Sequence, residues 1–496
     1  MTASDSTPSA VRSGAADVVR EHAIDVAGDP AALVAALALQ LDVGPPSDAD
    51  IWLAWTAIRG ELPREDDVIA LRRSIALNGA MSALTLLGGR TDATVFGPRN
   101  GFDVVTGAIL VDVTHASSTD SISGIQRVVR ETVRRWDGAH PIVLVSWTSD
   151  YRALRHLTSS EYRRIREVTA GTISTDVARG GSDGPDDAPA LVLPVGGLYI
   201  VAEIAAEPER AERILALGRF AQARVAAIGY DIVPLTSGET ATPAMATLFP
   251  LYLEALSYAD RIGTISTATA TEFQGWKRML SASGKTGPDI RAVFLGGDSP
   301  SPLTGDDSSA AEQLGILEGE PLVLAVGSHE PRKNHLSILT AARSLWNQGL
   351  SFRLVFIGSG TWSNEGFSAL AEVMIGEGHH LQVLTGSTDE HLAAAYRLAD
   401  VTIFTSTHEG FGLPIVESLR SGTPVIASDV GSMREIAEHY TGVVQVNPHD
   451  DRALERELTR LLTSRPALDE LTTAARANSF LSWDDYADEL WDYLTA

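Results

Sequence analysis

Between residues 11 and 90 the apolar positions recur at helical spacing: Ala31, Leu33, Val34, Leu37, Leu39 and Leu41, then Ile51, Leu53, Trp55 and Ile58, with Pro45, Pro46 and Pro63 as punctuation. This spacing predicts an all-helical N-terminal extension over residues 1–100, behind a loose Ser/Thr-rich terminus at 1–10. Near Ala108 the pattern changes. Short β-branched runs begin to alternate with longer amphipathic stretches, the mark of βαβ units around a parallel sheet. Strands are predicted at 109–113, 141–147, 190–195, 224–228, 261–265 and 291–295, with a helix over 125–136. The Gly-, Asp- and Ser-rich stretch 171–189 reads as an excursion within this unit.

At 299–309 the chain turns to Pro, Ser, Gly and Asp, which predicts a linker, and the alternation then restarts. Strands of a second α/β unit are expected at 322–326, 353–357, 381–384, 401–404, 424–427 and 443–446. In the last helix Trp483, Tyr486, Leu490, Trp491 and Leu494 fall near one face, so that face should pack on something.

Composition narrows the chemistry. A formal charge of −25 over 496 residues would repel a polyanion, and no basic patch offsets it, so a nucleic-acid surface is not expected. With no cysteine, disulfides, thiolate metal sites and cysteine nucleophiles are excluded. There is no leader-like N-terminus and no apolar run of bilayer length, so the expected location is the cytoplasm, with no transmembrane segment. Lysine is scarce: only Lys277, Lys285 and Lys333 occur.

In open parallel sheets ligands sit at the carboxyl ends of strands, where loops lead into helix N-termini. After the strand ending at Val326 comes Gly327-Ser328-His329-Glu330-Pro331-Arg332-Lys333-Asn334, just before a helix from about Leu336. Gly327 permits a tight exit, and Arg332 with Lys333 would suit a diphosphate, a guanidinium chelating two oxygens and an ammonium acting as a point charge. After 401–404 comes His408-Glu409-Gly410-Phe411-Gly412-Leu413-Pro414, then a helix carrying Glu417. Two glycines let backbone amides approach a ligand, while Glu409 and Glu417 could hold hydroxyls. Upstream, Gly124 and Arg127 combine a loop, a glycine and a helix start, and Asp231 follows the strand 224–228. His115 and His408 read as structural or packing side chains, and the acidic pairs 66–67, 186–187, 306–307, 450–451 and 484–485 as solvated loops or helix ends rather than metal ligands.

The run from Glu409 to Pro414, then Glu417, then Gly422-Thr423-Pro424-Val425-Ile426-Ala427-Ser428, resembles the nucleotide-sugar half of the family 4 retaining glycosyltransferases of GT-B fold, in a mannosyltransferase-like form. Glu330-Pro331-Arg332-Lys333-Asn334 is similar to that family's other donor motif. Gly124-Ile125-Gln126-Arg127 resembles its glycine-containing first loop, and Tyr230-Asp231-Ile232-Val233-Pro234 its His-Asp-Ile-Ile-Pro segment. The resemblance implies two Rossmann-like domains with parallel sheets facing a cleft: an acceptor domain at 108–305, completed by a returning C-terminal helix at 482–496, and a donor domain at 310–480. It further implies that Arg332 and Lys333 hold the donor diphosphate, that Glu417 binds ribose hydroxyls, and that Glu409 contacts the transferred sugar. Backbone amides of Phe411, Gly412 and Leu413, with Gly327, Gly124 and Arg127, would complete the donor cradle. Neither a metal nor a cofactor is then required: the nucleoside-diphosphate sugar is a substrate, and a sugar or glycan is the acceptor. Tyr230 stands where the family commonly has histidine, which leaves Asp231 to orient an acceptor hydroxyl.

Three alternatives stay open on the residues alone: a phosphorylase or epimerase of the same fold, a catalytically idle nucleotide-sugar-binding protein, and partner binding or self-association through the N-terminal helices. A nicotinamide dehydrogenase fits less well, because neither first loop contains Gly-x-Gly-x-x-Gly.

Overall fold

The computed structural model describes residues 15–22, 30–89, 102–119, 123–166, 189–297, 307–359 and 365–496. The Ser/Thr-rich terminus, the 171–189 excursion up to residue 188, most of the 299–309 linker and the acidic pair 186–187 lie outside these residues.

Two sheets organise the chain. The first holds β1 (Phe102–Thr106), β2 (Ile109–Asp112), β3 (Ile142–Trp147), β4 (Leu154–His156), β5 (Leu191–Val195), β6 (Leu198–Val201), β7 (Arg224–Gly229), β8 (Arg261–Thr264) and β9 (Asp289–Ala292). Its spatial order is β1-β5-β4-β3-β2-β6-β7-β8-β9. Every pairing is parallel except those of β4, which runs antiparallel to both β3 and β5. The second sheet holds β10 (Leu322–Val326), β11 (Arg353–Ile357), β12 (Leu381–Leu384), β13 (Val401–Phe404), β14 (Val425–Ser428) and β15 (Val443–Val446). It is wholly parallel, in the order β12-β11-β10-β13-β14-β15. That is the doubly wound order of a Rossmann sheet, whose direction of growth reverses between β10 and β13. Two such α/β domains preceded by helices make this a GT-B architecture.

Burial on both faces explains the apolar strands. Every residue of β10, β13 and β14 is buried, as expected of parallel strands covered by helices on both sides. The predicted strand 291–295 begins two residues earlier than expected and ends at Ala292. Val293 and Leu295 are buried, but in the loop that leaves the sheet.

The N-terminal helices (Ala15–His22, Pro30–Asp42, Asp48–Arg59, Glu65–Asn78 and Ala80–Gly89) do not form a separate body. Leu33, Leu37, Ile51, Trp52, Ile58 and Leu84 share one core with Trp147, Val192, Tyr199 and Phe220 of the first domain. A second core crosses from one domain to the other: Val111, Val129 and Ile228 pack in the same cluster as Phe404, Phe411, Ile415 and the final helix Trp483–Thr495. That helix lies against β8 and the helix Gly124–Ala139, and the Trp136 indole Nε1 donates to the carbonyl of Ala487 at 2.9 Å.

The acidic pairs mostly serve helix starts. Asp67 accepts from the backbone N–H of Arg64, and Asp485 from that of Ser482, so each satisfies an otherwise orphaned donor of a first turn. Among the described residues no three His, Asp or Glu side chains are grouped to hold a metal ion, and no helix is long and apolar enough to cross a membrane.

Candidate active site

The carboxyl ends of β10 and β13, adjacent in the second sheet, flank its reversal point, and both loops identified in the sequence leave from there. Gly327 closes β10 and lies against the Lys333 stem; a methyl group at Gly327 would meet Lys333 Cε at 3.4 Å. Arg332 and Lys333 occupy a 3-10 turn of their own, Pro331–Lys333, rather than the following helix, which starts at His335. Asn334, in the left-handed region at φ 56°, separates the two.

From the β13 side, Glu409 reaches into this turn. Arg332 Nη1 lies 2.5 Å from Glu409 Oε2, and Lys333 Nζ donates to Glu409 Oε1 at 2.6 Å. Arg332 also donates to the His408 carbonyl at 3.0 Å and to Glu330 Oε1 at 3.2 Å. The Lys333 ammonium sits 4.9 Å from the Phe404 ring centre, a cation–π contact. Burial alone would raise the Glu409 carboxyl, but Arg332 and Lys333 outweigh it and hold the group down at about 2. Burial pulls Lys333 below the ordinary lysine value despite Glu409. The cations therefore do not stand free: Glu409 compensates both.

Gly410 is required for a close approach. A Cβ there would lie 2.1 Å from the Tyr230 carbonyl oxygen of the first domain, so only glycine lets the two domains meet at this point. Ser266 Oγ and Thr269 Oγ1, also of the first domain, donate to the Gly410 carbonyl at 2.7 and 3.0 Å. Gly412 caps the helix Leu413–Arg420 at φ 119°, a conformation L residues avoid. The Phe411 ring packs edge-on to Phe294, with centres 5.1 Å apart, so its side chain is core. Leu413 opens the helix; Pro414 follows with no N–H, and the Ile415 amide donates to the Gly412 carbonyl at 2.9 Å.

Glu417 is buried on that helix. Tyr396 OH donates to its Oε2 at 2.9 Å, and Arg127 from the first domain pairs with its Oε1. Sequence reasoning placed Arg127 in the donor cradle; in the structure it pairs across the domains with the Glu417 carboxylate. Although burial opposes its charge, Glu417 pushes the Arg127 guanidinium above its ordinary value. Gly124 also approaches the second domain, where a methyl group on it would lie 4.0 Å from Leu413 Cδ1. Asp231 accepts from the Val233 backbone N–H at 3.1 Å and lies beside the Arg332–Glu409 group. Burial raises its carboxyl, with Arg332 opposing.

The structure thus brings Gly327, Arg332, Lys333, Glu409 and Asp231 together, pairs Arg127 with Glu417 across the domains, and sets Gly124 near Leu413, while Gly412 lies against Ile436, Ile415 and Phe404. Nearby, the hydroxyls of Thr405, Ser406 and Ser428, at the carboxyl ends of β13 and β14, are buried with no hydrogen-bond partner. Orphaned buried donors at a strand-end crevice fit a polar ligand.

The two histidines read as structural or packing side chains have defined partners. His408 bridges the domains, its Nε2 2.6 Å from Glu272 Oε1 and its Nδ1 3.1 Å from Ser237 Oγ. His115 pairs with Glu207 at 2.7 Å. Tyr230 is buried and donates to the Ala202 carbonyl at 2.6 Å, so its hydroxyl is spent in the core. Tyr396 escaped sequence reasoning, since nothing local marks a tyrosine 21 positions from Glu417 as its partner.

Residues 306–478 match the family model described as glycosyl transferases group 1. The chain is 28% identical over 357 residues to a serotype-specific mannosyltransferase WbdA of Escherichia coli, spanning 69% of this chain and 41% of that protein. It is 29% identical over 232 residues to a D-inositol 3-phosphate glycosyltransferase of Nocardia farcinica, 44% of this chain and 51% of the relative. The chain thus spans about half or less of the length of these relatives. Among solved structures it resembles Anabaena HepE in complex with UDP and glucose, at TM-score 0.54 and 15% identity, covering 78% of this chain and 99% of that one. Sucrose-phosphate synthase from Thermosynechococcus elongatus is similar at TM-score 0.54 and 17% identity, covering 78% and 98%. At such identities the structures establish a shared fold.

Proposed function

We propose that this chain is a retaining glycosyltransferase moving a hexosyl group, mannosyl by the sequence relationship to WbdA, from a nucleoside-diphosphate sugar to a sugar or glycan acceptor. One observation carries the reading: Arg332 and Lys333 converge with Glu409 at the reversal point of the second sheet. Departure of a nucleoside diphosphate leaves negative charge on phosphate and oxocarbenium character on the sugar. Fixed cations at the first and a carboxylate at the second bind the transition state more tightly than the ground state. Arg332 and Lys333 supply that charge stabilisation from the protein itself. Glu409, held ionised far below neutral pH, serves as the carboxylate facing the anomeric carbon rather than as a proton donor. Glu417, oriented by Tyr396, binds the ribose hydroxyls, and the amides of Phe411, Gly412 and Leu413 complete the diphosphate cradle.

Asp231, on the opposite domain and beside Glu409, orients the acceptor hydroxyl. Its raised carboxyl is suited to accepting a proton as the hydroxyl attacks. A cytoplasmic location is part of the proposal and is checked by cell fractionation. The test of the activity is a donor screen by thermal shift with UDP-, GDP- and ADP-sugars, followed by NMR of the product's anomeric configuration. A stabilising donor and a retained anomer are expected; no stabilising donor, or an inverted product, refutes the reading.

A nucleotide-sugar-binding protein without turnover is favoured by one observation: Tyr230, at the family's histidine position, keeps its hydroxyl in the core. Donor binding with no glycosylated product and no donor cleavage would select it.

A further inference from the structure

Both oxygens of the Glu417 carboxylate are engaged. Oε1 takes the Arg127 guanidinium from the first domain, and Oε2 takes the Tyr396 hydroxyl at 2.9 Å. Each oxygen has a second lone pair, but the side chain is 9% exposed, so it offers no open face to ribose hydroxyls while both partners stay. One of them has to leave.

Tyr396 is the fixed partner. It stands on the helix Asp389–Leu398 of the same domain, is 1% exposed in a core with Leu324, Val355 and Ala395, and its carbonyl accepts from Thr423 Oγ1 at 2.6 Å. Arg127 is the movable one, a long side chain from the other domain that is 20% exposed. Two helix turns deliver it. Gly124 and Arg127 lie three apart on the helix Gly124–Ala139, and Leu413 and Glu417 four apart on the helix Leu413–Arg420, so each pair shares one helix face. Gly124 approaches Leu413 where Arg127 meets Glu417, which lays one turn against the other.

An arginine leaving Glu417 needs another carboxylate, because a buried guanidinium without a counter-ion is costly. After Glu417, the strongest charge acting on Arg127 is that of Asp389, in the first turn of the helix that carries Tyr396. Glu131 comes next and is already paired with Arg134 and Arg135. Releasing Arg127 would not part the domains. His408 still meets Glu272 at 2.6 Å, Ser266 and Thr269 still donate to the Gly410 carbonyl, and Glu435 still accepts from the backbone N–H groups of Thr267 and Ala268 at 2.9 and 3.1 Å.

We infer that Arg127 is a self-inhibitory stopper on the ribose carboxylate: its pair with Glu417 and a bound nucleotide exclude one another, and the ribose displaces the guanidinium toward Asp389. This rests on the glycosyltransferase reading and changes the part of Arg127 within it, from a ligand of the donor to a competitor for Glu417. Arg127 sets nucleotide affinity and is not a catalytic residue.

Calorimetry on the full chain gives Kd for UDP, GDP, ADP and inorganic pyrophosphate in wild type, Arg127→Met, Arg127→Gln, Tyr396→Phe and Asp389→Asn. The nucleotide that wild type prefers should bind Arg127→Met at least fivefold more tightly, because the competing cation is gone and ribose hydroxyls meet the carboxylate it leaves. Pyrophosphate has no ribose, so its Kd should stay within twofold. Tyr396→Phe also strips Glu417 of a partner but removes no competitor, so it should bind nucleotide no more tightly than wild type; a gain there equal to that of Arg127→Met would mean general loosening and overturn the inference. Arg127→Gln should shift in the same direction as Arg127→Met and carries the test if the latter does not fold. Asp389→Asn should weaken nucleotide binding at least threefold in wild type and not at all in the Arg127→Met background; an effect that persists there would refute the move to Asp389. Nucleotide affinity unchanged in both Arg127 variants, or falling together with pyrophosphate affinity, overturns the inference and leaves the transferase reading intact. Absence of nucleotide binding and of any donor turnover in wild type would sink that reading, and this inference with it.

Discussion

Glu409→Gln separates binding from chemistry at the centre of the site. In the native protein the carboxylate pairs with Arg332 and Lys333 at 2.5 and 2.6 Å, and its value falls from 4.5 to about 2. That fall corresponds to roughly 3 kcal/mol of interaction favouring the ionised form. A donor diphosphate must compete with Glu409 for the same two cations. Replacing the carboxylate with an amide of similar shape removes the competitor, and if half of the interaction is regained on binding, diphosphate affinity rises about tenfold. The same change leaves Lys333 buried without its counter-ion, so the unliganded variant should lose on the order of 3 kcal/mol of stability. Turnover should fall at least about a hundredfold, because the carboxylate facing the oxocarbenium centre is gone. Calorimetric titration of nucleoside diphosphate and steady-state kinetics on one preparation give both numbers. If affinity falls in proportion to turnover, Glu409 only helps to hold donor and its assignment to the sugar is wrong.

Other substitutions probe neighbouring parts. Lys333→Ala should weaken diphosphate binding and lower kcat/KM together, each by about tenfold or more, since the ammonium holds the bound diphosphate and also the charge that grows on it as the bond breaks; a fall in only one would contradict this. Glu417→Ala should weaken nucleoside diphosphate binding several-fold and leave inorganic pyrophosphate binding unchanged, as a ribose contact requires; equal losses would move Glu417 to the phosphates. Gly410→Ala would force a methyl group against the Tyr230 carbonyl and should cost about 3 kcal/mol, read as a lowered unfolding midpoint. The Glu272 contact raises His408 above its ordinary 6.5. Its stabilisation is therefore complete below about pH 6.5 and lost as pH rises through the higher folded-state value. The stability gap between wild type and His408→Gln should close over that rise; a gap that widened with pH would reverse the assignment.

The second sheet was legible because its central strands β10, β13 and β14 are buried on both faces and read as largely apolar runs between polar or glycine-rich loops. The strands that escaped lack that signal. Phe102–Thr106 sits at a sheet edge with partly exposed side chains, Leu154–His156 is three residues long, and Leu198–Val201 follows Gly196-Gly197 so closely that it merges with the preceding run. The loops after β10 and β13 were legible for a related reason: Arg332, Lys333 and Glu409 each lie within a few residues of a strand end. The partnerships that tie the site together are not local. Arg127 meets Glu417 across 290 positions and His408 meets Glu272 across 136. Sequence spacing carries no mark of such pairs; only the folded cleft brings them into register.

Whether the Arg332–Lys333 turn seizes a diphosphate is decided by titrating UDP, GDP and ADP into wild type and into an Arg332→Ala/Lys333→Ala double variant that is shown to be folded by circular dichroism. At least one nucleotide should bind wild type with micromolar affinity and lose about a hundredfold or more in the double variant. Undiminished binding in the double variant would place the diphosphate elsewhere in the molecule.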